Sequence, residues 1–132
     1  MPSRIGDRRA EEGAYVWRKL IEGGARIVNG TDAPVEDVDP LANFYSSVTR
    51  RTGDGEVFYG DQVLTRMEAL ASMTTNAAYA AFEEDVKGKL IPGMLADIVV
   101  LSQDILTVSD DELAATRVEH SIVGGRVLYS AN

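Results

Sequence analysis

The sequence has no cysteine and a single histidine. The first absence excludes disulfides and thiolate metal sites. The second leaves little from which to build a metal centre. A zinc or iron site draws on roughly three or four convergent ligands, so carboxylates would have to supply all but one of them. Positive charge is also scarce: 13 Lys and Arg against 21 Asp and Glu leave a net charge of −8 at pH 7. Such a chain is not equipped to neutralise phosphates, so neither nucleic acid nor an anionic membrane surface is an expected partner. The acidity reads most simply as solubility. No apolar run is long enough to span a bilayer. The opening Met1 to Arg9 is charged and has no apolar stretch, so no secretory signal is expected and a cytoplasmic protein fits best. The glycosylation sequon Asn29-Gly30-Thr31 then carries no weight. The sequence also lacks an internal repeat, a phosphate-binding glycine loop and a serine in a nucleophile-elbow setting.

What is present suits a folded α+β chain. A length of 132 residues, 45% of them apolar, allows one real core. Residues 1–86 read mainly as helix and residues 87–132 mainly as strand. Ala10, Ala14, Trp17, Leu20 and Ile21 fall at helical spacing, predicting one helix over Asp7 to Glu22 that ends at Gly23-Gly24. Ala25 to Val28 reads as a short strand. Asp39-Pro40 reads as an N-cap and first turn, with Leu41, Phe44, Tyr45 and Val48 carrying the helix to about Arg50. Residues 51–61 are polar and glycine-rich, a loop. Thr65-Arg66-Met67-Glu68 is a capping box, and a second short helix over Asn76 to about Glu83 has Thr75 as its candidate cap. Gly88 to Leu101 reads as two short strands around Pro92-Gly93, the second covered on both faces. One or two helical turns are expected over Ser109 to Ala115. Finally, apolar runs either side of Gly124-Gly125 signal a hairpin with a tight turn.

On residue chemistry alone, little is singled out. His120 lies in a strand and reads as a surface or edge residue. Asp32, Glu36, Asp37 and Asp39 share one loop, but their spacing is not that of a calcium loop. Tyr15 and Trp17 read as core aromatics of the first helix. Asp32 follows a short apolar run, where a strand would stop.

Two stretches in this order, Gly30-Thr31-Asp32-Ala33-Pro34 and Gly88 to Leu101, resemble the C-terminal end of a metal-dependent amidohydrolase. The branch is amidohydrolase family 3, which includes N-substituted formamide deformylases. Arg8 to Ala25 resembles its last barrel helix, and Ile27 to Pro34 its eighth barrel strand and following loop. Asp39 to Arg51 resembles the next helix, Glu68 to Ala80 a helical link, and Lys87 to Leu101 with Ile122 to Tyr129 the strands of a small β-domain. The resemblance implies a helix–strand–helix remnant of a TIM-barrel end over 1–86 and a partial β-domain over 87–132. It also implies that Asp32 corresponds to the aspartate closing the family's metal site. A carboxylate at the C-terminal end of a barrel strand points into the active-site mouth, where it can bind a zinc-like divalent metal and take a proton from metal-bound water.

The same resemblance exposes departures. The family's paired histidines, bridging residue and further histidines belong to earlier barrel strands, and none occurs here. His120 matches no family ligand. One copy of this chain is therefore expected to assemble no complete site and to hold no cofactor by itself. Three readings follow: an inactive fragment or truncated homologue of a hydrolase of non-peptide carbon–nitrogen bonds, a subunit completing a split enzyme, or a repurposed binding or oligomerisation module. Missing neighbours for the barrel helix and the β-domain strands imply a homo-oligomer or a complementary barrel-forming chain.

Overall fold

Local signals set most element boundaries. The computed structural model describes residues 2–131. Helices α1 (Pro2–Ile5), α2 (Asp7–Gly13) and α3 (Trp17–Glu22) open the chain. Next come α4 (Pro40–Thr49), a 3₁₀ turn (Gly60–Gln62), α5 (Arg66–Met73) and α6 (Thr75–Ala80). Strand β1 (Ile98–Leu101), helix α7 (Asp110–Ala114) and strands β2 (Val118–Val123) and β3 (Arg126–Ser130) complete it. The α+β reading holds. Asp39 caps α4 by accepting from the N–H groups of Leu41 (2.9 Å) and Ala42 (3.1 Å). Capping boxes are formed at both Thr65–Glu68 and Ser109–Glu112.

The strands form one antiparallel sheet in the order β1-β2-β3. Gly124 and Gly125 both take positive φ, 56° and 77°, as a primed two-residue turn requires. The turn is tied to the approach to β1, because Gly125 N–H donates to the Ala96 carbonyl (2.9 Å) and Gly124 N–H to the Asp97 carboxylate (2.8 Å). The core joins α4, the segment before α5, α5 itself and the α7 region through Phe44, Leu64, Ala69, Ile105 and Leu113. Trp17, Ile21, Tyr45, Val48 and Leu101 pack at its border.

Several expectations are corrected. The helix over Asp7 to Glu22 is two helices, broken at Ala14–Val16. Tyr15 sits at φ 54°, an uncommon conformation for a bulky residue. Its carbonyl is held by the N–H of Trp17 (2.9 Å) and by Arg50 Nη1 (2.9 Å). The break also turns Tyr15 out of the core, leaving it 53% exposed. The strand over Ala25 to Val28 does not form, because among the described residues no strand lies beside it to complete a ladder. Its groups bond to helices instead: Asn29 N–H donates to the Ser72 carbonyl (3.1 Å), and Asn76 Nδ2 donates to the Ile27 carbonyl (3.0 Å). Thr75 is inside α6 rather than capping it, and Thr74 Oγ1 donates back to the Leu70 carbonyl (2.7 Å). Of the two strands expected around Pro92-Gly93, only the second forms. Residues 88–97 are turns and bends, and β1 leaves Val99 and Val100 exposed instead of covered on both faces.

One ion pair joins α3 to the start of α5. Arg18 donates to Glu68 through two nitrogens (2.8 and 2.6 Å) and to the Val63 carbonyl (2.9 Å). Glu68 also accepts from the Thr65 N–H (2.7 Å). These bonds, the Arg18 fork foremost, hold the Glu68 carboxyl down at about 2, against an ordinary 4.5. A depressed carboxylate contributes its stability above the unfolded value and loses it as pH falls toward the folded value. Glu68→Gln is therefore expected to lower stability by about 1 kcal/mol at neutral pH. The gap to the parent should shrink as pH falls from 4.5 toward 2. Thermal melts across that range check this, and a gap that stays constant with pH would contradict it.

Candidate functional site

The loop that carries Asp32 leaves the surface open. Asp32 takes a left-handed backbone, φ 55°, a conformation that Asp adopts more readily than most residues. Its carbonyl accepts from Val35 N–H (2.8 Å) and closes the turn. Its side chain is exposed, and among the described residues no donor pairs with it. The carboxylate is therefore not the cap of this turn. It borders a broad, open cavity of about 880 Å³, shared with Glu36, Asp37, Asp39, Trp17, Arg50 and Phe58. Of these acids, Asp39 is already committed to capping α4.

Arg50 is the residue that sequence reasoning passed over. It follows α4 in the left-handed conformation and is 4% exposed. Nε donates to the Phe58 carbonyl (2.6 Å) and Nη1 to that of Tyr15. The guanidinium stacks over Trp17 at 4.5 Å and lies 5.2 Å from the centre of the Phe58 ring. Burial pushes its pKa down, with Asp61 opposing that shift. Nothing in the sequence flags it, since a basic residue at a helix C-terminus is a routine complement to the helix dipole.

His120 is elsewhere. It lies on β2 opposite Val100 and Ser130 in the ladders, and its Nδ1 pairs with Ser130 Oγ at 2.8 Å. It does not border the cavity. Among the described residues, no three His, Cys, Asp or Glu side chains converge as a metal site requires. The residues present do not fit a metal ion held by this chain alone.

The sequence matches the model of the amidohydrolase family over residues 1–129. This chain belongs to the amidohydrolase family. It is 28% identical over 124 residues to the N-substituted formamide deformylase of Arthrobacter pascens, covering 94% of this chain and 23% of that one. In structure it is similar to a metal-dependent hydrolase from Pyrococcus horikoshii OT3, with TM-score 0.63 and 31% identity over 74% of this chain and 20% of the other. The fold also matches an amidohydrolase from Thermotoga maritima MSB8, with TM-score 0.68 and 20% identity over 89% of this chain and 26% of that one. The chain spans about a quarter of the length of the curated relatives it matches.

With no convergent ligand set, the purified chain is expected to hold zinc or a similar divalent ion weakly and without fixed stoichiometry. Elemental analysis after exhaustive dialysis checks this. One transition-metal ion retained per chain would show that a site forms which the described side chains do not.

Proposed function

We propose that this chain is the C-terminal part of a metal-dependent hydrolase of non-peptide carbon–nitrogen bonds, inactive when alone. The observation that carries the reading is a family match along nearly the whole sequence of a chain only about a quarter as long as its relatives. In this reading residues 1–86 are the barrel-derived segment and 87–132 the partial β-domain. Asp32 is the carboxylate the chain contributes to the completed site, and the other metal ligands come from outside this sequence. A cytoplasmic setting goes with it. Among the described residues no helix is long and apolar enough to cross a membrane.

A complementary barrel-forming chain or a second copy of this one is the proposed partner. The exposed side chains support this. Leu90 is 75% exposed and Leu128 65%, and every residue of β3 is exposed. Apolar surface and unpaired strand edges of this kind are commonly closed by association.

Hydrolysis of formamides or cyclic amides by the isolated chain is expected to stay at background with added zinc or manganese. A metal-dependent turnover that Asp32→Asn abolishes would make the chain an enzyme in its own right. Light scattering at micromolar concentration is expected to give a dimer or larger assembly. A clean monomer near 14.3 kDa would instead favour a repurposed, stand-alone binding module.

A further inference from the structure

Tyr15 carries two costs at one position. Its backbone is held at φ 54°, a region that bulky side chains rarely occupy, and the residue is 53% exposed. Burial in the core does not account for an aromatic ring there. The ring is nonetheless positioned. It meets Trp17 edge to face, with centroids 6.3 Å apart and planes at 80°, and Phe58 likewise at 6.2 Å and 77°. Trp17 and Phe58, both half-buried, are in turn held by the buried Arg50 guanidinium, 4.5 and 5.2 Å from their ring centres. All three aromatic residues border the open cavity, and Val35, 74% exposed, borders it too. An exposed ring fixed by two half-buried ones is a preformed surface for another ring, because little side-chain freedom is left to lose on binding.

We propose that this aromatic wall of the cavity binds small aromatic molecules that carry no negative charge, with Tyr15 as the residue that selects the ring. Aromatic rings pair edge to face or offset, so a planar ligand gains from Tyr15 contacts that an aliphatic ring of the same size does not make. Charge around the cavity selects further. Asp32, Glu36 and Asp37 are exposed on it, whereas of its two bordering arginines Arg50 is buried and only Arg51 is exposed. A carboxylate on the ligand is therefore disfavoured, and a neutral or positively charged group is accepted. Ring binding is a property of this chain alone and stands whether or not the hydrolytic reading does.

Trp17, the sole tryptophan of the chain, lies beside Tyr15 and reports binding there by its fluorescence. The intact chain is titrated with benzyl alcohol, cyclohexylmethanol and sodium benzoate at matched ionic strength. The expected result is a saturable change with benzyl alcohol, at least about threefold weaker for cyclohexylmethanol and for benzoate. Tyr15→Phe keeps an aromatic ring and should keep the response. Tyr15→Gly removes the ring at a φ that glycine accepts freely, and should weaken benzyl alcohol by about threefold or more in a chain that still melts cooperatively. Tyr15→Asn, which also tolerates this φ, decides the matter if Tyr15→Gly does not fold. Tyr129 is similarly exposed but lies on β3 and does not border the cavity, so Tyr129→Ala should change nothing. The absence of a saturable response overturns the proposal. So do equal responses to benzyl alcohol and cyclohexylmethanol, benzoate binding as tight as benzyl alcohol, or binding unchanged in a folded Tyr15→Gly or Tyr15→Asn chain.

Discussion

The buried guanidinium of Arg50 holds together segments that have no regular structure to hold them. It closes α4, takes the carbonyl of Tyr15 at the helix break and takes the carbonyl of Phe58 across the polar loop. Trp17 and Phe58 pack on its faces. Without it, the Tyr15 carbonyl would lose one of its two donors, and the left-handed turn between α2 and α3 would lose what offsets its strain. The open side of the Asp32 cavity is thus shaped by a residue 18 positions further along the chain (50 − 32).

The same device recurs. Arg18 donates to the Val63 carbonyl beside its ion pair with Glu68, and Arg66 donates to the carbonyls of Ile105 (2.7 Å) and Val108 (3.1 Å) while pairing with Asp110. Each fork satisfies backbone acceptors in an irregular stretch, where no helix or ladder would do so. Arg18, Arg50 and Arg66 of this acidic chain thus point inward at carbonyls.

Features set by neighbouring residues were legible in the sequence. Asp39-Pro40, the capping box at Thr65–Glu68 and Gly124-Gly125 work within about four residues, and each forms where the pattern places it. Features set by distant residues were not. The break at Tyr15 depends on Arg50, which helical periodicity over 7–22 cannot register. The apolar run Ala25 to Val28 has strand composition, but a strand exists only as part of a ladder, and among the described residues no partner strand is alongside. The exposed faces of β1 fail for the same reason: an apolar run predicts cover but cannot supply it. Asp32 was found through resemblance and lies at the cavity edge, whereas Arg50 carried no sequence signal.

Asp32 and His120 show why the likeness to a family does not by itself make a site. Asp32 is held by a local turn that its own carbonyl and the Val35 N–H close, so its backbone geometry depends on no distant element. A metal centre depends on convergence of side chains from separate elements. Here the one imidazole is spent on Ser130 at the sheet, and the acids near Asp32 lie along a single loop facing water. A lone exposed carboxylate is well solvated and has little reason to bind an ion or move a proton on demand. Desolvation and opposing charge would have to be supplied by surfaces packed against it. The apolar side chains left bare on β1, β3 and residues 82–95 provide an area onto which such surfaces can pack.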